Sequence, residues 1–134
     1  MKPPVETVRI SQRSRDVLVK LKRKTGIEHW NVLCRWAFCL SLNSPAPLPG
    51  TLSCPESNVE MSWKVFAGSM SEALPALLLF RALRDGLSVE TEQLSGYFRA
   101  HLERGILLLQ NVKDLTDLIK PVLDRSDSRD RHQE

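Results

Sequence analysis

Residues 17–42 read VLVKLKRKTGIEHWNVLCRWAFCLSL, and two unlike halves meet in them. Lys20, Lys22, Arg23 and Lys24 crowd the first half, just ahead of a Thr25-Gly26 stop. From Trp30 to Leu42 the only charge is Arg35, set among Trp30, Val32, Leu33, Cys34, Trp36, Ala37, Phe38, Cys39, Leu40 and Leu42. A cationic surface helix joined by a short turn to an apolar helix is the economical reading. The first would face a polyanion. The second would build the core and, with so little polar surface, pack against a copy of itself as well.

Working outward, Ser11 is a suitable N-cap for a helix over 12–24 with Gly26 as its stop. At about 100° per residue, Ser14, Val17, Leu18, Leu21 and Thr25 fall on one narrow face. Arg13, Arg15, Lys20, Lys22, Arg23 and Lys24 occupy the rest, with Asp16 spaced to pair with Lys20. Cations in a last helical turn suit the helix dipole, but that does not account for six of them between residues 13 and 24. The next helix is expected over 28–42. Its Arg35 needs a carboxylate or carbonyl partner, or an exit to the surface, because an unpaired buried guanidinium is costly.

The 134 residues suit one domain with a real core. The net charge of +3 hides an asymmetry. Residues 1–35 hold nine Lys/Arg against three acids, a net of +6, and residues 36–134 hold ten against thirteen, a net of −3. Positive charge gathered in one third of a chain is the footprint of a nucleic-acid binder. The N-terminus lacks the apolar run of a secretory leader, and the Trp30–Leu42 run is too short to span a bilayer, so a cytoplasmic protein is expected. Cys34, Cys39 and Cys54 show no CxxC pair and no neighbouring histidine, which argues against a disulfide framework or a metal site.

Residues 5–10 alternate and are β-branched, the pattern of an extended segment. Residues 43–58 carry four prolines and should form a long irregular connection. The period of two over 59–66 suggests a second extended segment. Helices follow over 72–84, with Pro75 in the first turn and Asp85-Gly86 as the stop, and over 89–111, capped by Ser88. The latter aligns Leu94, Phe98, His101, Leu102, Ile106, Leu109 and Val112, while Gly96 and Gly105 would permit close backbone contact. His101 has no Ser, Cys or acid spaced to partner it and reads as an ordinary helix residue. A short helix over 113–119 and a disordered charged tail over 124–134 complete the chain. The fold expected is mainly α: a compact single-domain bundle of four to five helices over 1–123, with a short N-terminal extended segment. No phosphate loop, GxGxxG, HExxH or GxSxG occurs, and the carboxylate pairs Glu90/Glu92 and Asp114/Asp117 read as solvated charge. A non-catalytic binding protein without cofactor or metal is the reading.

The runs Arg9-Ile-Ser11, LKRKTG over 21–26, WNVLCRWAFCLSL over 30–42, SNVEMSW over 57–63 and FRAHLERG over 98–105 together resemble the DndE family, the small subunits of bacterial DNA phosphorothioation systems. The similarity spans about residues 5–120. It implies a small helical subunit, homotetrameric, that binds DNA, notably nicked duplex, through surface lysines beside desulfurase, iron–sulfur and ATPase-like subunits. Among those lysines only Lys20, Lys22 and Lys24 have a matching place here. The expected DNA contacts are therefore Lys20, Lys22, Arg23 and Lys24, helped by Arg9, Arg13 and Arg15. Trp30, Leu33, Trp36, Ala37, Phe38 and Leu40 would form the core or an oligomer contact. Two alternatives stand beside this: a ribbon-helix-helix repressor reading bases with Glu6, Val8 or Arg9, and a helical scaffold for other modification subunits.

Overall fold

A computed structural model describes residues 2–49, 56–87 and 90–112. The elements run β1 (Thr7–Ser11), α1 (Gln12–Thr25), α2 (Trp30–Asn43), β2 (Glu56–Ser62), α3 (Trp63–Ala67), a 3-10 turn (Gly68–Met70), α4 (Ala73–Arg84) and α5 (Thr91–Gln110). The fold is mainly α with a small two-stranded sheet, as the periodicities imply. The helix expected over 113–119 and the tail from 124 lie outside the described residues.

β1 and β2 pair antiparallel, with Thr7 opposite Ser62, Val8 opposite Met61 and Arg9 opposite Glu60, and an irregularity before Ser11 meets Glu56. Val8 and Ile10 point inward while Thr7 and Arg9 face out. In the ribbon-helix-helix reading strands of two subunits pair and read bases; here β1 takes β2 of its own chain as its neighbour, and Val8, one of the three residues assigned to bases, is buried.

The second extended segment begins earlier and ends earlier than the alternation suggests. Glu56-Ser57-Asn58, assigned to the connection, open β2, and Trp63 to Phe66 leave it for α3. Ser62 explains the switch: its side chain accepts the Val65 N–H and caps a helix on which Trp63 and Phe66, three apart, both turn inward. They meet Phe38 and Phe98 in a four-ring cluster, centroids 5.0–5.9 Å apart where rings touch.

α2 starts at Trp30 rather than residue 28, and it is not covered all round. Leu33, Cys34, Ala37, Phe38 and Ser41 are buried, whereas Val32, Cys39 and Leu40 are half-buried and Trp36 is 39% exposed. Arg35 is half-buried and its Nε donates to the Asn31 carbonyl at 3.5 Å. α5 packs along the buried face, and Gly105 is where the two backbones come closest: a Cβ there would lie 1.8 Å from the Ala37 carbonyl oxygen. Gly96 makes no such approach, since a Cβ added there would meet nothing within 4 Å. α5 opens at Thr91 with Glu90 before it, and Ser88 is outside the described residues. Among the described residues no single helix is long and apolar enough to cross a membrane. α3 with its turn and α4 are apolar enough together, but they are bent by 92° at their junction.

Candidate nucleic-acid interface

The cationic helix is anchored at both ends. At its start Ser11 caps α1, its Oγ accepting the Ser14 N–H at 3.1 Å. Glu103 of α5 reaches across to this cap and accepts from the Ser11 N–H at 2.9 Å, from Ser11 Oγ at 2.8 Å and from Ser14 Oγ. A carboxylate so placed satisfies helix N-terminal donors and favours the dipole. At the far end Gly26, with φ of 75°, donates its N–H to the Lys22 carbonyl in a left-handed stop. Ser14, Val17, Leu18 and Leu21 are buried between these points, as the wheel assigns them.

That mounting sorts the seven expected cations. Arg13, Lys20 and Arg23 are exposed and make no hydrogen bond or ion pair among the described residues. Asp16 accepts from Gln12 Nε2 at 3.1 Å and is not the ion-pair partner of Lys20 that their spacing suggests. Arg15 is half-buried on the opposite flank. Lys22 is also half-buried, its Nζ 4.8 Å from the centroid of the Trp30 ring, a cation–π contact. Lys24 donates to the Val112 carbonyl at 2.8 Å, tying the end of α1 to the end of α5. Arg9 sits on the outer face of the sheet, 3.4 Å from Glu60 and 3.8 Å from Glu56, and Arg99 reaches the same Glu56 at 3.5 Å. These three exposed pairs are weak individually, but they put carboxylates where a phosphate would have to come.

The expected core residues divide too. Leu33, Ala37 and Phe38 are buried within the chain, Trp30 and Leu40 are half-buried, and Trp36 alone of the six is exposed. Cys34 is buried and its thiol is pushed up to about 12 by desolvation, with Glu103 adding to the effect. Burial also raises Cys39, against a smaller opposing pull from Arg35. Neither is a ready thiolate nucleophile. Among the described residues no His/Cys/Asp/Glu group is placed to hold a metal ion.

A second polar cluster escapes sequence reasoning. Ser41, Arg81, His101 and Arg104 are all buried, far apart in the chain, and gathered where α2 ends. Arg104 Nε donates to Ser41 Oγ at 2.8 Å, and the same oxygen is hydrogen-bonded to His101 Nδ1, also at 2.8 Å. The imidazole lies edge-to-face with Tyr97 at 4.5 Å between centroids. His101 thus has a serine partner after all, sixty residues away in sequence and adjacent in space. Arg81 Nε meets Asp85 at 3.1 Å, and the Tyr97 hydroxyl donates to the same carboxylate. That hydrogen bond and the guanidinium hold Asp85 below its ordinary range, and burial with the Asp85 contact raises Tyr97. The sequence does carry one signal for this cluster: Arg81 stands on the apolar face of its helix with Leu74, Leu78 and Ala82.

Burial, then Arg104 and Arg81, lower His101 from 6.5 to about 4, with Asp85 opposing. The folded chain therefore holds His101 neutral where the unfolded chain binds a proton. The stability from this group is fully present above about pH 6.5 and declines as pH falls toward 4, by roughly 3 kcal/mol at most. Urea titrations between pH 7 and 4 should show that slope, and His101→Gln should flatten it. An unchanged slope in the variant would assign the loss elsewhere.

A small mainly helical domain presenting a rigidly mounted cationic helix is the class these features define. The chain belongs to the DndE family: the profile described as DNA sulphur modification protein DndE matches residues 7–117. Its place is thus in the DNA phosphorothioation system. Among solved structures it is similar to DndE from Escherichia coli B7A, involved in DNA phosphorothioation modification, at 26% identity and a TM-score of 0.63, covering 81% of this chain and 98% of that one. A mutant DndE involved in DNA phosphorothioation, 24% identical, shares the fold with a TM-score of 0.61 over 81% of this chain and 99% of that one. No curated protein matches the sequence.

Proposed function

We propose that the chain is a non-catalytic, homo-oligomeric DNA-binding subunit of the cytoplasmic phosphorothioation machinery, working beside the subunits that carry the sulfur chemistry. The observation that carries this reading is the exposed set Arg13, Lys20 and Arg23 on a helix anchored at both ends and without internal ion pairs among the described residues. Each such cation neutralises a backbone phosphate and releases counterions. The contacts carry no sequence information, so choice of site rests with other subunits or with DNA shape. An oligomer, a tetramer in this reading, adds several copies of the same weak footprint on one duplex, and a nick lets that duplex bend toward them.

The internal partners of Lys22 and Lys24 set an order among the cations. A triple Arg13→Ala, Lys20→Ala, Arg23→Ala variant should lose about a hundredfold in DNA affinity near 0.1 M salt and flatten the salt dependence by about 0.9 per contact removed. Lys22→Ala with Lys24→Ala should lose far less, because those ammonium groups already sit on Trp30 and the Val112 carbonyl. Mobility-shift titrations on intact, nicked and single-stranded DNA at several salt concentrations measure both effects. Full-strength binding by the triple variant would refute the assignment of α1.

A further inference from the structure

α4 buries Leu74, Pro75, Leu78, Arg81 and Ala82 and turns its other side outward. On that side Leu77 is 46%, Phe80 69% and Leu83 57% exposed, and Leu87, just past the helix, is 40% exposed. Together these four expose on the order of 400 Å² of apolar surface, within the range where the largest patch of a monomer is commonly functional. α2 gives Leu33, Ala37 and Phe38 to the chain's own core, and Trp36 is its one exposed large apolar side chain among the described residues.

We infer that the outer face of α4 is a contact between two copies of this chain, packed antiparallel about a point between Leu77 and Phe80. This rests on the reading of the protein as a homo-oligomer and names the surface that makes it one. Two features of the helix favour a second copy as the occupant. The face is self-complementary in size: in the antiparallel register Phe80 of each copy lies over Ala76 and Leu77 of the other, and Leu83 lies over Ala73. Its ends are complementary in charge. Glu72 precedes the helix, Arg84 closes it, both are exposed, and neither has an ion-pair partner among the described residues. An antiparallel pair brings the acidic end of one copy beside the basic end of the other, and it also sets the helix dipoles in opposition. An isologous contact of this kind closes on itself and pairs two copies, so a tetramer joins two such pairs through a second surface. About 400 Å² is roughly the apolar half of the ~800 Å² that each partner gives to a standard interface, the rest being a polar rim.

The test is the mass of the purified full chain by sedimentation velocity across a concentration series. Phe80→Glu, a change at an exposed site, should keep the circular dichroism and thermal midpoint of the parent while shifting the assembly toward smaller species by tenfold or more in concentration. Glu72→Arg and Arg84→Glu should each weaken assembly, and the two together should restore it. An oligomer whose mass is indifferent to Phe80→Glu overturns the α4 contact and leaves the oligomer reading standing. A monomeric parent chain overturns both. DNA affinity of the α1 variants reports separately on the binding reading, so the two failures are distinguishable.

Discussion

Gly105→Ala should cost the protein about 3–5 kcal/mol, a large share of the stability of a domain this size. Alanine is ordinarily the better helix residue by nearly 1 kcal/mol, so on propensity alone the substitution would stabilise α5. The geometry reverses the sign. The added methyl would sit 1.8 Å from the Ala37 oxygen and 2.4 Å from its carbonyl carbon, and no flexible side chain stands there to move aside. Two backbones must separate, at the centre of the packing between α2 and α5, and every contact along that seam loosens with them. Gly96→Ala is the internal control: it lies on the same helix with open space around it, so it should gain about 0.5–1 kcal/mol. Urea unfolding of the two variants decides the matter. Equal effects of either sign would mean that helix propensity, not the crossing, governs both positions.

This pair also marks how far the sequence could be read. Both glycines stand in the same helical pattern and both look like sites of close approach, yet only Gly105 is one, because the approach depends on where Ala37 lies. What proved legible was local: the Ser11 cap and Gly26 stop of α1, its Val17–Leu18–Leu21 stripe, Pro75 tolerated within the first turn of α4, and the apolar face of α5. Each follows from residues within a few positions of one another. The misreadings involve partners far along the chain. β1 finds β2 some fifty residues later, and Trp63 leaves the strand to pack its ring on Phe98. In the candidate interface the number of cations was visible from composition. Their availability was not, since Val112, Glu56 and Glu60 engage Lys24 and Arg9 from elsewhere.

Arg104→Ala should be comparably damaging, by about 3–4 kcal/mol, although the residue touches neither the proposed DNA surface nor the outer face of α4. The last turn of any helix leaves carbonyls without intrahelical donors, and α2 ends inside the protein where water does not reach all of them. Arg104 supplies what is missing: Nη2 donates to the Ser41 carbonyl at 2.6 Å, Nη1 to the Ala46 carbonyl at 2.5 Å and Nε to Ser41 Oγ. Arg81 does the same beside it, with Nη1 reaching the Leu42 and Ser44 carbonyls at 2.8 and 2.6 Å. Burial and the neighbouring Arg81 both lower the Arg104 pKa, the mark of two cations confined together, and the ring of acceptors offsets that repulsion. Removing one guanidinium takes a donor from three acceptors at once, leaving the Ser44 N–H alone on the Ser41 carbonyl and Arg81 Nη2 alone on that of Ala46. Arg104→Lys separates charge from shape: an ammonium retains the positive charge but cannot send three fixed N–H groups to three separate oxygens. The lysine variant should therefore fall close to alanine in urea unfolding. A second readout distinguishes loss of this network from loss of packing. Without the Arg104 charge, the His101 pKa should rise from about 4 toward its ordinary value, visible in an NMR titration of the imidazole, whereas in Arg104→Lys it should stay low. Full stability in Arg104→Lys would mean that the charge alone holds the end of α2, and that the fork of hydrogen bonds is incidental.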